Sequence, residues 1–158
     1  MNNLSSRLMK RFNHLLGEID AVYHEMDWKL GLSDSAMAVL YTICDNGGCC
    51  LLQDICRLSG LSKQTVNSAL RRLEADGILY LEAAGSKAKK VRLTESGKLF
   101  ADQTAGQIIK AEDEIFDSWP QEDVNKYLEL TEAFLTAIKQ KAENLVPNEY
   151  RKGFDKDS

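Results

Sequence analysis

One stretch constrains this chain more than any other: GLSKQTVNSALRRLEADGILYLEAAGSKAKKVRLTESG, residues 60–97. It sets in order a glycine turn, a short helix with one polar face, and a two-stranded ribbon with a basic tip. Gly60 follows the apolar segment LLQDICRL and permits the positive φ that ends a helix at low cost. Ser62 suits the N-cap of the next helix, because its hydroxyl can accept from the free backbone donors of the first turn. Helix, glycine-containing turn and second helix are the parts of a helix-turn-helix.

The second helix is predicted over about Lys63 to Asp76. Val66, Ala69, Leu70 and Leu73 recur at i, i+3, i+4 and i+7 and form one apolar stripe. The opposite face carries Gln64, Asn67, Ser68 and Arg71, with Lys63 and Thr65 near its start. These side chains suit base edges and phosphates: Gln and Asn can pair with adenine, and Arg with guanine. Gly77 closes the helix. ILYLEAA reads as a strand with Ile78 and Tyr80 in the alternation. Gly85 and Ser86 turn the chain, Lys87, Lys89 and Lys90 line the tip and return, and VRLT comes back as the second strand. Thr94 caps the helix that follows.

Charge agrees once it is read locally. The chain has 20 basic and 24 acidic residues and a net charge of −4, which by itself argues against a nucleic-acid partner. Between residues 57 and 98, however, nine basic residues face four acidic ones. A basic module that can neutralise phosphates and release counterions sits in an acidic body that limits nonspecific adhesion.

The remainder reads as helix. Leu4, Leu8, Phe12, Leu15, Ile19, Val22 and Met26 step by three and four through a long first helix. Ser33 or Asp34 caps a second one, SAMAVLYTICD, with Met37, Leu40, Ile43 and Cys44 on one face, and Asn46-Gly47-Gly48 breaks it. Beyond the ribbon, one helix is predicted from about Glu95 to Phe116. Another starts at Pro120, which fits a first turn, and carries Val124, Tyr127, Leu128, Leu130, Leu135 and Ile138. The tail 147–158 is polar and expected to be flexible. No run is long enough to span a bilayer, and the N-terminus lacks a signal-peptide pattern, so a cytoplasmic protein is expected.

The pattern G-L-S-K-Q-T-V-N-x-x-L-x-x-L-E-x-x-G, followed by a hairpin ending L-T-x-x-G, resembles the MarR family of bacterial transcriptional regulators. The resemblance runs over about residues 5–145. It implies a mainly α fold with a small β-hairpin wing: one winged helix-turn-helix domain over 1–158 whose long terminal helices, 1–30 and 99–146, dimerise around the DNA-binding module 31–98. It also implies a homodimer on palindromic, double-stranded promoter DNA at the nucleoid, most often as a repressor. Position by position, Ser62, Lys63, Gln64, Thr65, Asn67, Ser68 and Arg71 fall where the family's recognition helix meets the major groove, and Lys87 and Lys89 fall on the wing. Many members carry Asp-Arg-Arg at the wing tip, where Gly85, Ser86 and Lys87 stand here. The wing contact expected is therefore lysine to phosphate, with less sequence selectivity. A small phenolic or lipophilic effector is expected between the dimer helices and the winged module, with Tyr23, Met26, Trp28 and Tyr41 as candidate contacts, and an efflux gene is one possible target.

Four cysteines, Cys44, Cys49, Cys50 and Cys56, lie within thirteen positions. Three readings compete: small core residues, a redox switch, and a metal site. The core reading fits the apolar helix faces that hold Cys44 and Cys56. The family's peroxide-sensing branch places its reactive cysteine on the first helix, which has none here. The spacing is not that of paired zinc knuckles. His14 and His24, near Glu18, Glu25 and Asp27, raise a metal-sensing reading as well, but His14 with Glu18 is an ordinary i, i+4 helix pair. No metal or cofactor is expected. No nucleophile elbow, phosphate loop or dinucleotide fingerprint is present, so catalysis is not expected. A winged helix used only for protein contacts is the remaining alternative, and it would not need the polar and Arg face of the second helix.

Overall fold

The computed structural model describes residues 3–148, so most of the predicted flexible tail, residues 149–158, lies outside the described residues. Ten elements follow one another: α1 (Leu4–Lys29), α2 (Asp34–Asp45), β1 (Cys49–Leu51), α3 (Leu52–Ser59), α4 (Lys63–Ala75), β2 (Leu79–Ala84), β3 (Ala88–Leu93), α5 (Glu95–Asp102), α6 (Ala105–Asp117) and α7 (Gln121–Glu143). Two compact units divide them, Met1–Asp113 and Glu114–Ser158, with the boundary inside α6.

The local signals act as their chemistry demands. Ser33 is the N-cap of α2 and accepts from the Ala36 amide at 3.2 Å. Gly60 ends α3 in the left-handed region at φ 69°, a conformation in which a Cβ would be strained. Ser62 caps α4 by accepting from the Thr65 amide, and Thr94 caps α5 by accepting from the Gly97 amide at 2.9 Å. Each cap satisfies a donor that the first helical turn leaves free.

The core of the first unit belongs to the winged segment. Val39, Leu40 and Ile43 of α2, Ile55 of α3, Val66 and Leu70 of α4, Leu79 of β2 and Val91 of β3 are buried together. The stripe read on α4 is the buried one: Val66, Ala69, Leu70 and Leu73.

Three expectations need correction. The ribbon is a three-stranded antiparallel sheet in the order β1-β3-β2. Cys49, Cys50 and Leu51 pair with Arg92, Val91 and Lys90 on the free edge of β3, which three residues cannot announce by alternation. The return strand begins at Ala88, earlier than VRLT, and the inward residue of β2 is Leu79, while Tyr80 is exposed. Finally, the helix expected from Glu95 to Phe116 is two helices. The Thr104 amide bonds the Ala101 carbonyl, three residues back, and the Thr104 hydroxyl instead donates to the Phe100 carbonyl at 2.8 Å. A side chain thus takes the acceptor that the helical amide would have used.

Gly97 explains the last position of the L-T-x-x-G pattern. A Cβ there would lie 1.8 Å from the Ile78 carbonyl oxygen. The Thr94 amide bonds the same carbonyl, and the Thr94 hydroxyl reaches the Gly77 carbonyl at 2.6 Å. The start of α5 is therefore locked against the chain where it leaves α4.

The two terminal helices are different in kind. Along α1 only Asp27 is buried, and Leu4, Leu8, Leu15, Ile19 and Val22 are exposed. Along α7 only Val124 is buried, and Leu128, Leu130, Phe134, Leu135 and Ile138 are exposed. In the second unit, Phe116, Trp119 and Tyr127 form an aromatic triad with ring centroids 5.5 to 6.1 Å apart.

Candidate nucleic-acid interface

The outer face of α4 holds the predicted reading residues. Lys63, Gln64, Ser68 and Arg71 are exposed, and Thr65 and Asn67 are half-buried. Ser62 and Thr65 are occupied with each other, their hydroxyls 2.8 Å apart beside the cap bond. They shape the start of the helix, which leaves the reach to Lys63, Gln64, Ser68 and Arg71. Arg71 lies back along its own helix, its Nε donating to the Asn67 carbonyl at 3.4 Å. Among the described residues no acidic side chain pairs with Lys63 or Arg71, so both charges stay available to an anionic partner.

On the wing, Gly85 turns the chain at φ 82°. Lys87 and Lys89 are exposed and Lys90 is half-buried; none has an acidic partner among the described residues. Arg92, one of the nine basic residues of this segment, is not available in the same way, because its guanidinium is bonded to Glu82 across the β2–β3 ribbon. The wing's free charge is therefore lysine alone, consistent with the missing Asp-Arg pair.

The four candidate effector contacts do not come together. Tyr23 of α1 and Tyr41 of α2 both donate to the Glu112 carboxylate of α6, one to each oxygen. Burial first, then Glu112, pushes the Tyr41 hydroxyl well above the ordinary phenol range, so it stays a donor. Met26 packs against the core. Trp28 is 76% exposed and takes no part in the cluster. Sequence spacing does not reveal Glu112, which lies 89 residues from Tyr23 and 71 from Tyr41. A separate open cleft of about 360 Å³ includes Leu32, Ser33, Arg72 and Phe100 in its lining.

The cysteines are free thiols. Cys50 is in the core, and Cys44 and Cys56 pack against it. Burial pushes the Cys44 thiol up to about 11, with Asp102 and Asp45 adding to it; burial also raises Cys50. Both are thereby held away from the thiolate that oxidant chemistry requires. Cys49, on the other face of β1, is half-buried opposite Arg92. His24 bonds Asp34, with Nδ1 at 2.8 Å from both carboxylate oxygens. No group of three or more His, Cys, Asp or Glu side chains with metal-holding geometry occurs among the described residues. Nor is any helix among them long and apolar enough to cross a membrane.

Residues 30–89 match the model of the MarR family. Among solved structures, a MarR family regulator from Neisseria meningitidis is 22% identical, with 90% of this chain and 99% of that one covered at a TM-score of 0.73. BpsR of Bordetella bronchiseptica, whose DNA binding is regulated by 6-hydroxynicotinic acid, is 18% identical, with 78% and 98% covered at 0.59. NadR in complex with 4-hydroxyphenylacetate is 14% identical, with 85% and 93% covered at 0.61. At these identities the likeness is one of fold. No curated protein matches the sequence.

Proposed function

We propose that this chain, a MarR-family winged helix by its segment 30–89 and by its fold, is a sequence-specific DNA-binding regulator that acts as a homodimeric repressor in the cytoplasm and is released from its operator by a small molecule. The observation that carries the reading is the outer face of α4. It presents Lys63, Gln64, Ser68 and Arg71 to solvent, with a buried stripe behind them and no acidic partner for either cation among the described residues. A helix used only for packing or for protein contacts gains nothing from keeping such donors free. Side chains of this kind read base edges in the major groove, while Lys87, Lys89 and Lys90 suit phosphates beside it.

The dimer rests on the apolar side chains that α1 and α7 leave exposed. Burying a large aliphatic side chain is worth about 1.5–3 kcal/mol, and a monomer forgoes that along both helices. A two-fold pairing of the same surfaces places two recognition helices on a pseudo-palindromic site, about one helical turn apart. The effector site is assigned to the Tyr23–Tyr41–Glu112 cluster, which joins three helices through one carboxylate. The hydroxyaromatic acids bound by NadR and recognised by BpsR suggest the ligand class. Such an acid could replace Glu112 as acceptor for the two phenols and so favour a different spacing of the recognition helices. That shift requires unequal affinity for the two spacings. The chain carries no recognised catalytic motif, and no enzymatic step is proposed.

The test is an anisotropy titration of the full-length protein against the DNA flanking its own gene, over a salt series, with scrambled competitor. Binding that survives competitor and weakens steeply with salt supports the reading. Binding no tighter than to scrambled DNA, together with a genome-wide pull-down that recovers no site, overturns it.

A further inference from the structure

The cleft of about 360 Å³ shares no lining residue with the outer face of α4 or with the Tyr23–Tyr41–Glu112 cluster. Its walls come from segments far apart in sequence. Leu32 and Ser33 lie in the turn before α2, Arg72 and Asp76 at the end of α4, Ile78 before β2, and Phe100 on α5. Backbone bonds hold these walls in place. Gly77 takes φ 73° and turns the chain back, so that the Ile78 amide bonds the Leu73 carbonyl at 2.9 Å. The Ile78 carbonyl in turn accepts from the Thr94 amide at 3.0 Å, which sets the start of α5 beside the exit of α4. On the other side the Leu32 amide bonds the Asp27 carbonyl at 3.0 Å, and Ser33 opens α2 as its N-cap. A ligand therefore meets walls that are already formed, as in most small-molecule sites.

The lining divides by chemistry. Its covered part is apolar: Ala36, Leu73 and Ile78 are buried, and Leu32 and Phe100 pack against the core. Its exposed part is polar, with Ser33, Arg72 and Asp76. Arg72 and Asp76 stand one helical turn apart. Opposite charges at that spacing can pair, yet among the described residues neither is ion-paired, with the other or with a third group. Asp76 is also the C-cap of α4, an end where the helix dipole favours a cation over an acid. A carboxylate placed there gains from a cationic partner that the chain does not supply.

We propose that this cleft binds a small zwitterion with an apolar body, of the class of the apolar α-amino acids: the ligand's carboxylate meets Arg72, its ammonium meets Asp76, and its side chain lies over Ile78 and Phe100. Simpler ligands fit less well. An apolar acid suits Arg72 but sets its carboxylate against Asp76. An apolar amine suits Asp76 but sets its charge against Arg72. A neutral apolar molecule takes both charges out of water and pairs neither, which costs free energy. A zwitterion satisfies both, and the guanidinium can offer its carboxylate two parallel N–H donors. The volume, about 360 Å³, lies at the small end of ligand clefts and suits a single amino acid. Binding here requires neither a dimer nor DNA, so the site stands apart from the function proposed above.

Calorimetric titration of the full-length protein with L-phenylalanine and L-leucine tests the site. Binding is expected, and 3-phenylpropionate and phenethylamine, which each lack one of the two charges, should bind about tenfold more weakly or worse. Glycine, which keeps both charges and lacks the apolar body, should also bind more weakly. Arg72→Gln and Asp76→Asn change exposed side chains, so each should keep the thermal midpoint and lose affinity by about tenfold or more. In the wild type, amide-shift changes on adding phenylalanine should centre on Leu32, Asp76 and Ile78. That map decides the location even if a variant fails to fold. Absence of binding by every standard amino acid overturns the site. Phenylpropionate binding as tightly as phenylalanine overturns the zwitterion assignment. Full affinity in both variants, or shifts centred elsewhere, puts the bound molecule outside the cleft and overturns the proposal.

Discussion

The winged segment and the terminal helices obey the same helical period and reach opposite ends with it. On α4 the stripe Val66, Ala69, Leu70, Leu73 is buried to within a few per cent. On α1 the equally regular stripe Leu4, Leu8, Leu15, Ile19, Val22 remains in solvent. Periodicity therefore identifies an apolar face without naming its partner. In the winged segment the partner is in the same chain, because α2, α3 and the sheet close over α4. For the terminal helices the proposed partner is a second copy, and the contrast becomes an experiment.

The largest effect is expected where the core is closed. Leu70→Ala should cost about 2–5 kcal/mol of unfolding free energy, read by urea denaturation, at any protein concentration. Leu15→Ala removes the same atoms from a solvent-facing stripe. If the dimer reading holds, its effect should depend on concentration and appear as a raised dimer dissociation constant in sedimentation equilibrium. A concentration-independent loss like that of Leu70→Ala would break the comparison.

Gly97→Ala comes next. The added methyl meets the Ile78 carbonyl oxygen at 1.8 Å, so the α5 start must shift. A loss of about 1–3 kcal/mol is expected in the same denaturation experiment. A stability equal to wild type would mean that the contact between α5 and the exit of α4 is not a constraint.

On the outer face of the same module the roles separate. Arg71→Ala should leave the thermal midpoint nearly unchanged and weaken specific DNA binding by about 1–3 kcal/mol, with relaxed sequence preference at one position. The smallest effect is expected at Lys89→Ala. Its weakening should be similar on specific and scrambled DNA, and the salt slope should fall by about one. If Lys89→Ala altered base preference instead, the division between reading helix and phosphate-binding wing would be wrong.

Much of this was legible before the structure because it is local. Ser33, Ser62 and Thr94 act as caps within three residues of the donors they satisfy. Gly60 and Gly77 take the positive φ that their neighbours make necessary, and the α4 stripe repeats within two turns. Such signals lie within a few residues of one another, so a linear reading recovers them, together with the polar face they leave outside. The break at Thr104 is also local, but it depends on which of two donors takes one carbonyl, and both outcomes fit the same residues.

Only the tertiary structure decided the rest. β1 joins the sheet through backbone bonds to a strand some forty positions later, and three residues carry no readable alternation. Gly97 is required by a carbonyl that arrives from Ile78. Tyr23 and Tyr41 share an acceptor from the far end of the unit, and Trp28, with equal credentials as an aromatic on α1, is left in solvent. Asp27 reads as one more acid at a helix end until folding buries it. In each case the deciding free energy belongs to a contact between distant segments, and sequence spacing has no term for the distance that closure removes.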